Sequence, residues 1–341
     1  MKVNRDPYID NARFILVVLV VIGHLISPFK DNNEIIYFIN NFLASFRMPA
    51  LIYLTGFFSK KFYKEGFIEK ITIKLLFPYL IFQLIYNFNP TLSINWFNPS
   101  FGLWFLLSVY SWNLLLFIFT RLKKPIIFAL IIGVGIGLVE NAGHYFSISR
   151  TFVFFPIFLI GFYTEKVHLE WFKKKQAKLL SVIALIVSFT ILSYFSVLET
   201  RGLMLGKTSY SNLDFSNLEG IYLRALFYVI MLLGVVFYLP WVPKKQNCLT
   251  NFGQVTAYIY ILHLPIIGFL YNIGWFYAYE SWKVITSPAL ALFISILLCS
   301  KPVILIMKPF VTGEAVSKLI ISIKMLKRYV LRKTGGVYFG S

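Results

Sequence analysis

The chain has 341 residues and a formal net charge of +19; 58% of its residues are hydrophobic and 14% are charged. A soluble domain is about 45–50% apolar and about 25% charged, so this chain is too apolar and too poor in charge for water. The same figures exclude a disordered chain, and two cysteines, Cys248 and Cys299, are too few for a disulfide-stapled fold. A polytopic membrane protein remains. The positive balance does not point to nucleic acid, because the lysines form short clusters between apolar runs rather than one basic face.

A helix crossing the hydrocarbon needs about 20 apolar residues, or about 17 at the short end. The pattern predicts an all-α polytopic protein with about ten transmembrane helices, over 14–30, 35–58, 71–88, 101–120, 125–140, 150–165, 179–198, 220–241, 255–276 and 287–308. The fifth and sixth are short, and a tilted or re-entrant arrangement would suit them. The first apolar run, Phe14 to Leu25, lacks a small-x-small cleavage site and reads as a retained span rather than a signal peptide.

Lysine and arginine set the expected orientation. One set of alternate loops holds Lys2, Arg5 and Arg13, then Lys60, Lys61, Lys64 and Lys70, then Arg121, Lys123 and Lys124. It continues with Lys166, Lys173, Lys174, Lys175 and Lys178, then Lys244 and Lys245, and closes with Lys318, Lys324, Lys327, Arg328, Arg332 and Lys333. The opposite set has Lys30, Arg150, Arg201, Lys207 and Lys283. The bias predicts cytoplasmic termini, an even number of spans and a plasma-membrane location. The longest outer loop, Glu199 to Glu219, is long enough to cover a site. Residues 1–310 read as one membrane domain. Residues 311–341 alternate Leu319, Ile320, Ile323 and Leu326 with Lys324, Lys327 and Arg328, which predicts a basic amphipathic tail on the inner surface. The Ile-, Lys-, Phe- and Asn-rich composition points to an AT-rich bacterial genome.

Ionisable residues inside spans are costly, so they mark candidate chemistry. Arg13 and His24 are eleven residues apart, about three turns and about 16.5 Å of rise, on one helix face. Asp10 lies one turn before Arg13 on that face and can pair with it. A neutral imidazole is a competent general base; the plainer alternative is a His satisfied by a neighbouring carbonyl or hydroxyl. Arg47 lies mid-span beside Pro49, which frees a carbonyl. It suits an anionic intermediate, or it is a structural cation neutralised by carbonyls. His263 precedes Pro265 by two residues: a second acid/base group or substrate ligand, or a cap on the gap that Pro265 leaves. Arg150 and Arg224 sit near outer span ends, placed either to bind an acceptor or to snorkel. Trp104 lines a cavity or belongs to an interfacial aromatic belt. Lys70 and Lys74, in a cluster that starts at Lys60, can hold phosphates or merely set topology. His144 and His168 fall in expected loops without a role. No carboxylate lies deep in a span, as ion-coupled transporters require. There is no Cys/His metal spacing, so no metal is expected, and no phosphate loop, dinucleotide fingerprint or nucleophile elbow.

These residues resemble the integral-membrane acyltransferase-3 family, and most closely its fucose 4-O-acetylase-like branch. Tyr8-Ile9-Asp10-Asn11-Ala12-Arg13 followed by His24 looks like its Arg/Lys-(ten residues)-His signature. Phe46-Arg47-Met48-Pro49 with Thr55-Gly56-Phe57-Phe58 is similar to its second-helix motif, where a His often precedes Met-Pro; here Arg47 stands in that place. Leu75-Leu76-Phe77-Pro78-Tyr79, Leu103-Trp104-Phe105-Leu106, Arg150 to Phe155-Pro156 and Gly161-Phe162-Tyr163, and Tyr260-Ile261-Leu262-His263-Leu264-Pro265 resemble later segments. The likeness runs to about residue 310.

The resemblance implies transfer of an acyl group, usually acetyl, from cytoplasmic acyl-CoA to a hydroxyl of a cell-surface glycan or glycolipid. Some relatives carry a fused extracytoplasmic domain; this chain is expected to act alone or with a separate extracytoplasmic transferase. Relatives have an arginine pair near the inner end of the third helix, where this chain offers Lys70 and Lys74. The expected arrangement puts acetyl-CoA phosphates near Lys70, Lys74 and Arg13, with His24 as base or acyl carrier. Arg47 stabilises the oxyanion, Asp10 orients Arg13, and His263, Trp104, Arg150 and Arg224 face the acceptor. The competing expectation is an exporter of lipid-linked sugar or polysaccharide that uses no CoA.

Overall fold

The computed structural model describes residues 6–87, 96–143, 145–194, 200–314, 316, 317 and 322. Among them the elements are all helical. In chain order they are α1 (Pro7–Ile26), α2 (Glu34–Phe58), α3 (Phe67–Ile71), α4 (Phe77–Tyr86), α5 (Trp104–Phe119), α6 (Pro125–Gly135), α7 (Ile148–Tyr163), α8 (Lys166–Phe172), α9 (Lys175–Tyr194), α10 (Arg201–Met204), α11 (Asn217–Tyr238), α12 (Cys248–Gly253), α13 (Thr256–Asn272), α14 (Ser281–Leu298) and α15 (Lys301–Val311).

Local chemistry fixes the helix starts. Asp6 caps α1 by accepting from the Tyr8 amide at 3.0 Å, and Pro7, which has no amide hydrogen to satisfy, opens the first turn. Asn33 caps α2 through the Ile35 amide at 2.8 Å. Ser216 and Glu219 form a reciprocal capping box on α11.

Six helical stretches are long and apolar enough to cross a membrane, and a seventh counts if α7 and α8, bent by 99°, form one broken span. The helices at Pro125–Leu138 and Thr256–Asn272 are apolar but shorter. Three segments of the expected ladder of ten spans are not single continuous helices. The third, 71–88, is assembled from α3, a π-turn over Thr72–Leu76 and α4. The sixth ends at Thr164, whose extended backbone turns the chain into α8. The tenth, 287–308, is divided at Ser300, also extended, between α14 and α15. Pro302 has no amide to continue the ladder from α14 and stands in the first turn of α15, where none is needed.

Helix α2 sits centrally, packed on α1, α7 and α11. Its contact with α7 is a reciprocal glycine seam. A Cβ on Gly56 would lie 2.0 Å from the Phe158 carbonyl oxygen, and a Cβ on Gly161 would lie 2.0 Å from that of Tyr53. Only residues without side chains let two backbones approach this closely. Helix α1 packs on α2, α12, α13 and α14. Its first turns are stitched to the segment after α11. Tyr8 donates to the Leu239 carbonyl at 2.8 Å, Asn11 donates to Pro243 at 2.9 Å and Lys245 at 3.1 Å, and Thr250 donates to Asn11 at 2.7 Å. Tyr238 donates back to the Ala12 carbonyl at 2.7 Å.

The antiparallel run of α1 and α2 defines two ends of the bundle. One end carries Lys60, which donates to the Thr164 carbonyl, and Lys173, which pairs with Asp6 at 3.3 Å. The other carries the 3₁₀ turn Ser27–Asn32 and the loop around α10. Most of the basic tail 311–341, and His144, lie outside the described residues.

Candidate functional site

The site begins with a glycine. Gly23 lies in the last turns of α1 beside His24, and a Cβ there would fall 1.2 Å from Nη1 of Arg47. The guanidinium of Arg47, reaching from α2, occupies the space that a side chain at position 23 would fill. Nη1 donates to the Leu19 carbonyl of α1 at 3.2 Å, while Nε is buried without a hydrogen-bond partner among the described residues. Arg47 is therefore held inside the bundle by α1. The carbonyl that holds it belongs to Leu19, not to the backbone gap at Pro49.

His24 turns inward. Its ring centroid lies 5.2 Å from that of His263 on α13. His263 is buried, and its Nδ1 lies 2.8 Å from the Ile259 carbonyl. A carbonyl only accepts, so the neutral ring carries its proton on Nδ1, leaving Nε2 as a lone pair. That Nε2 is buried with no hydrogen-bond partner among the described residues. Pro265 does not divert the ring: its contact is with the carbonyl one turn earlier on α13. Two imidazoles from different helices and one guanidinium thus come together inside the bundle.

An aromatic chain leads away from this pair. Tyr260 stands 6.1 Å from His263 and 5.1 Å from Phe105, and its hydroxyl donates to the Gly102 carbonyl at 2.9 Å. Phe105 adjoins Trp104 at 6.0 Å, and the Arg150 guanidinium lies over the Trp104 ring at 5.0 Å. Trp104 is buried at 9% exposure, so the aromatic-belt assignment is corrected: its ring packs under a cation inside the protein.

Other expected residues stand elsewhere. The rise of α1 keeps Arg13 about 16 Å and Asp10 about 21 Å from His24, so neither touches reacting atoms at the imidazole. Arg13 lies over the Phe58 ring at 5.9 Å, and Asp10 is buried against α12. Arg224 does not snorkel. It is 0% exposed, donates to the Leu203 carbonyl at 2.6 Å and sits 6.0 Å from the Tyr210 ring, where it ties α10 to α11. His168 is not in a loop: its Nδ1 accepts from the Glu165 amide at 3.0 Å and caps α8. Lys70 and Lys74 both line an open cavity of about 270 Å³ with Gly66, Glu69, Ile73, Thr312 and Ser317. Lys70 lies in α3 and Lys74 in the π-turn that follows it.

Sequence reasoning missed Arg201. Its Nη1 donates to Asn41 of α2 at 2.6 Å and its Nη2 to Ser27 of α1 at 3.3 Å. Ser27 follows His24 by three residues, so it lies on the same face one turn on, and the signal was present for Ser27 alone. Nothing local to Arg201 announces its partners, which lie 160 and 174 residues away.

A family model described as an acyltransferase domain matches residues 6–304 of the chain. No curated protein and no solved structure gave a match.

Proposed function

The chain belongs to the acyltransferase-3 family and is a multi-pass membrane acyltransferase; from that premise we propose that it moves an acetyl group from cytoplasmic acetyl-CoA to a hydroxyl of a cell-surface glycan, with His24 at the point of transfer. The supporting observation is the contact between His24 and His263 at 5.2 Å, with the Arg47 guanidinium seated over Gly23 beside them. A cation and two titratable rings enclosed in an apolar bundle are costly unless used.

In this reading Lys70 and Lys74 hold the phosphates of CoA at the inner mouth, with Arg13 nearby and Asp10 setting the position of Arg13. The pantetheine arm runs along α1 and delivers the thioester to His24. His24 takes the proton of the acceptor hydroxyl as that oxygen attacks the thioester carbon. Negative charge collects on the former carbonyl oxygen, where Arg47 offers a fixed guanidinium. Collapse breaks the C–S bond, and the thiolate recovers the proton from His24, leaving free CoA and an O-acetyl ester. In the two-step variant His24 itself carries the acetyl group between the two substrates. His263 fixes the His24 ring, while Trp104 and Arg150 line the acceptor side; Arg224 supports that side through the loop it ties down. A separate extracytoplasmic transferase completes the route where the final acceptor lies beyond the membrane.

The test uses purified protein in lipid nanodiscs with radiolabelled acetyl-CoA, and mass spectrometry of surface glycans with and without the gene. Binding of acetyl-CoA together with loss of glycan O-acetyl groups supports the proposal. A protein that binds no acetyl-CoA is not this enzyme.

A further inference from the structure

The end of the bundle beyond the histidines is lined by cations whose partners are neutral. Arg201 spans α1 and α2 one turn past His24, held by Asn41 and Ser27, which orient its charge without cancelling it. Asn41 lies on α2 six residues before Arg47, so the Arg201 guanidinium is held against the helix that carries Arg47. Arg150 reaches the same region over the Trp104 ring. The loop after α10 adds Lys207. Desolvation, then the charges of Arg150, Arg201 and Lys30, hold its ammonium below the ordinary lysine value. Among the described residues no ion pair joins Arg47, Arg150, Arg201 or Lys207 to a carboxylate. The acidic group that acts on Arg201 is Asp31, which is itself paired with Lys30.

Four positive groups gathered toward this end of the bundle, with neutral supports, repel each other. Such an arrangement is stabilised by an anion, and planar guanidiniums favour oxyanions that accept two hydrogen bonds. We infer that the acceptor carries an oxyanion, a phosphate or a carboxylate, next to the hydroxyl that is acylated, and that Arg201, Arg150 and Lys207 hold it. This rests on the acyl-transfer reading of the His24 pocket. It adds that neutral sugars are poor substrates and that Arg201 sets the preference.

Direct binding separates the two claims. Nanodisc protein carrying Lys70→Ala and Lys74→Ala, which removes the lysines of the other end, is titrated at low salt with inorganic phosphate and with acetate. The same protein is then titrated with a neutral glucose oligosaccharide, its 6-phosphate and its glucuronate counterpart. The expected result is saturable binding of anions, with the charged oligosaccharide favoured over the neutral one by about tenfold or more. Added salt weakens that preference, Arg201→Gln erases it and Arg201→Lys retains part. The phosphate and carboxylate arms identify which oxyanion is used. Equal binding of charged and neutral probes, or a preference untouched by Arg201→Gln in folded protein, overturns the inference. Arg201-dependent anion binding, when the protein that keeps Lys70 and Lys74 moves no acetyl group, upholds the anion site and removes the acyl-transfer reading instead.

Discussion

Helix α2 shows two unlike faces. Toward α7 it approaches to backbone distance, Gly56 against the Phe158 carbonyl and Gly161 against that of Tyr53. Toward α1 it keeps its distance, and the gap over Gly23 is filled by the Arg47 guanidinium. Glycine makes both faces possible, but to different ends. On the first face it lets main chain touch main chain, which binds the bundle. On the second it makes room for a charge inside the bundle. What an added methyl group would strike is the physical difference: a backbone carbonyl, or the end of a long side chain.

The sharpest way to break this comparison is at His24. His24→Ala is expected to lower acetyl transfer by about 100-fold or more, as removal of a general base does, at normal membrane levels; unchanged glycan acetylation would falsify its role. Next come the glycines, as a pair. Gly23→Ala should leave yield and melting temperature near wild type while transfer drops about 100-fold, since an oxyanion donor has been pushed aside. Gly161→Ala should cost about 1–3 kcal/mol of stability through overpacking, seen as a lower melting temperature and poor recovery from the membrane. If both variants behave alike, the two faces of α2 do not differ in the way described.

Smaller effects sharpen the picture. Lys70→Ala with Lys74→Ala should raise the KM for acetyl-CoA about tenfold with kcat little changed, because distant phosphate contacts contribute uniform binding. A fall in kcat with constant KM would move those lysines out of the donor site. Arg224→Met should lower thermal stability by about 1–3 kcal/mol, since the charged hydrogen bond to the Leu203 carbonyl is lost while that oxygen keeps the Gly206 amide, without altering the KM for acetyl-CoA. A changed KM for the donor would show that the α10 loop reaches further than its hydrogen bonds indicate.

Much of this architecture was readable in the residues. Long apolar runs gave α1, α2, α5, α9 and α11, because in lipid a run of that length has few alternatives to helix. The pieces that escaped were breaks inside apolar segments, at Thr72–Leu76 and at Ser300, where hydropathy stays high while the hydrogen-bond ladder changes. Among the site residues, His24, Arg47 and His263 stood out because polar groups are rare in such runs. Their meeting was not legible, since it depends on how three helices pack. Arg201 was invisible for a related reason. In a polar loop one more arginine is ordinary, and its importance comes from partners that folding supplies.

The stitching of α1 to residues 239–250 bears on how the protein is made. The first helix leaves the ribosome with Tyr8 and Asn11 lacking the carbonyls that later receive their hydrogen bonds, and those groups lie 231 and more residues downstream. At about 5–20 residues per second, synthesis of the missing stretch takes on the order of ten seconds or longer. During that wait α1 can cross the bilayer but cannot lock into register. His24 therefore meets His263 only after most of the polypeptide has been threaded through the insertion machinery.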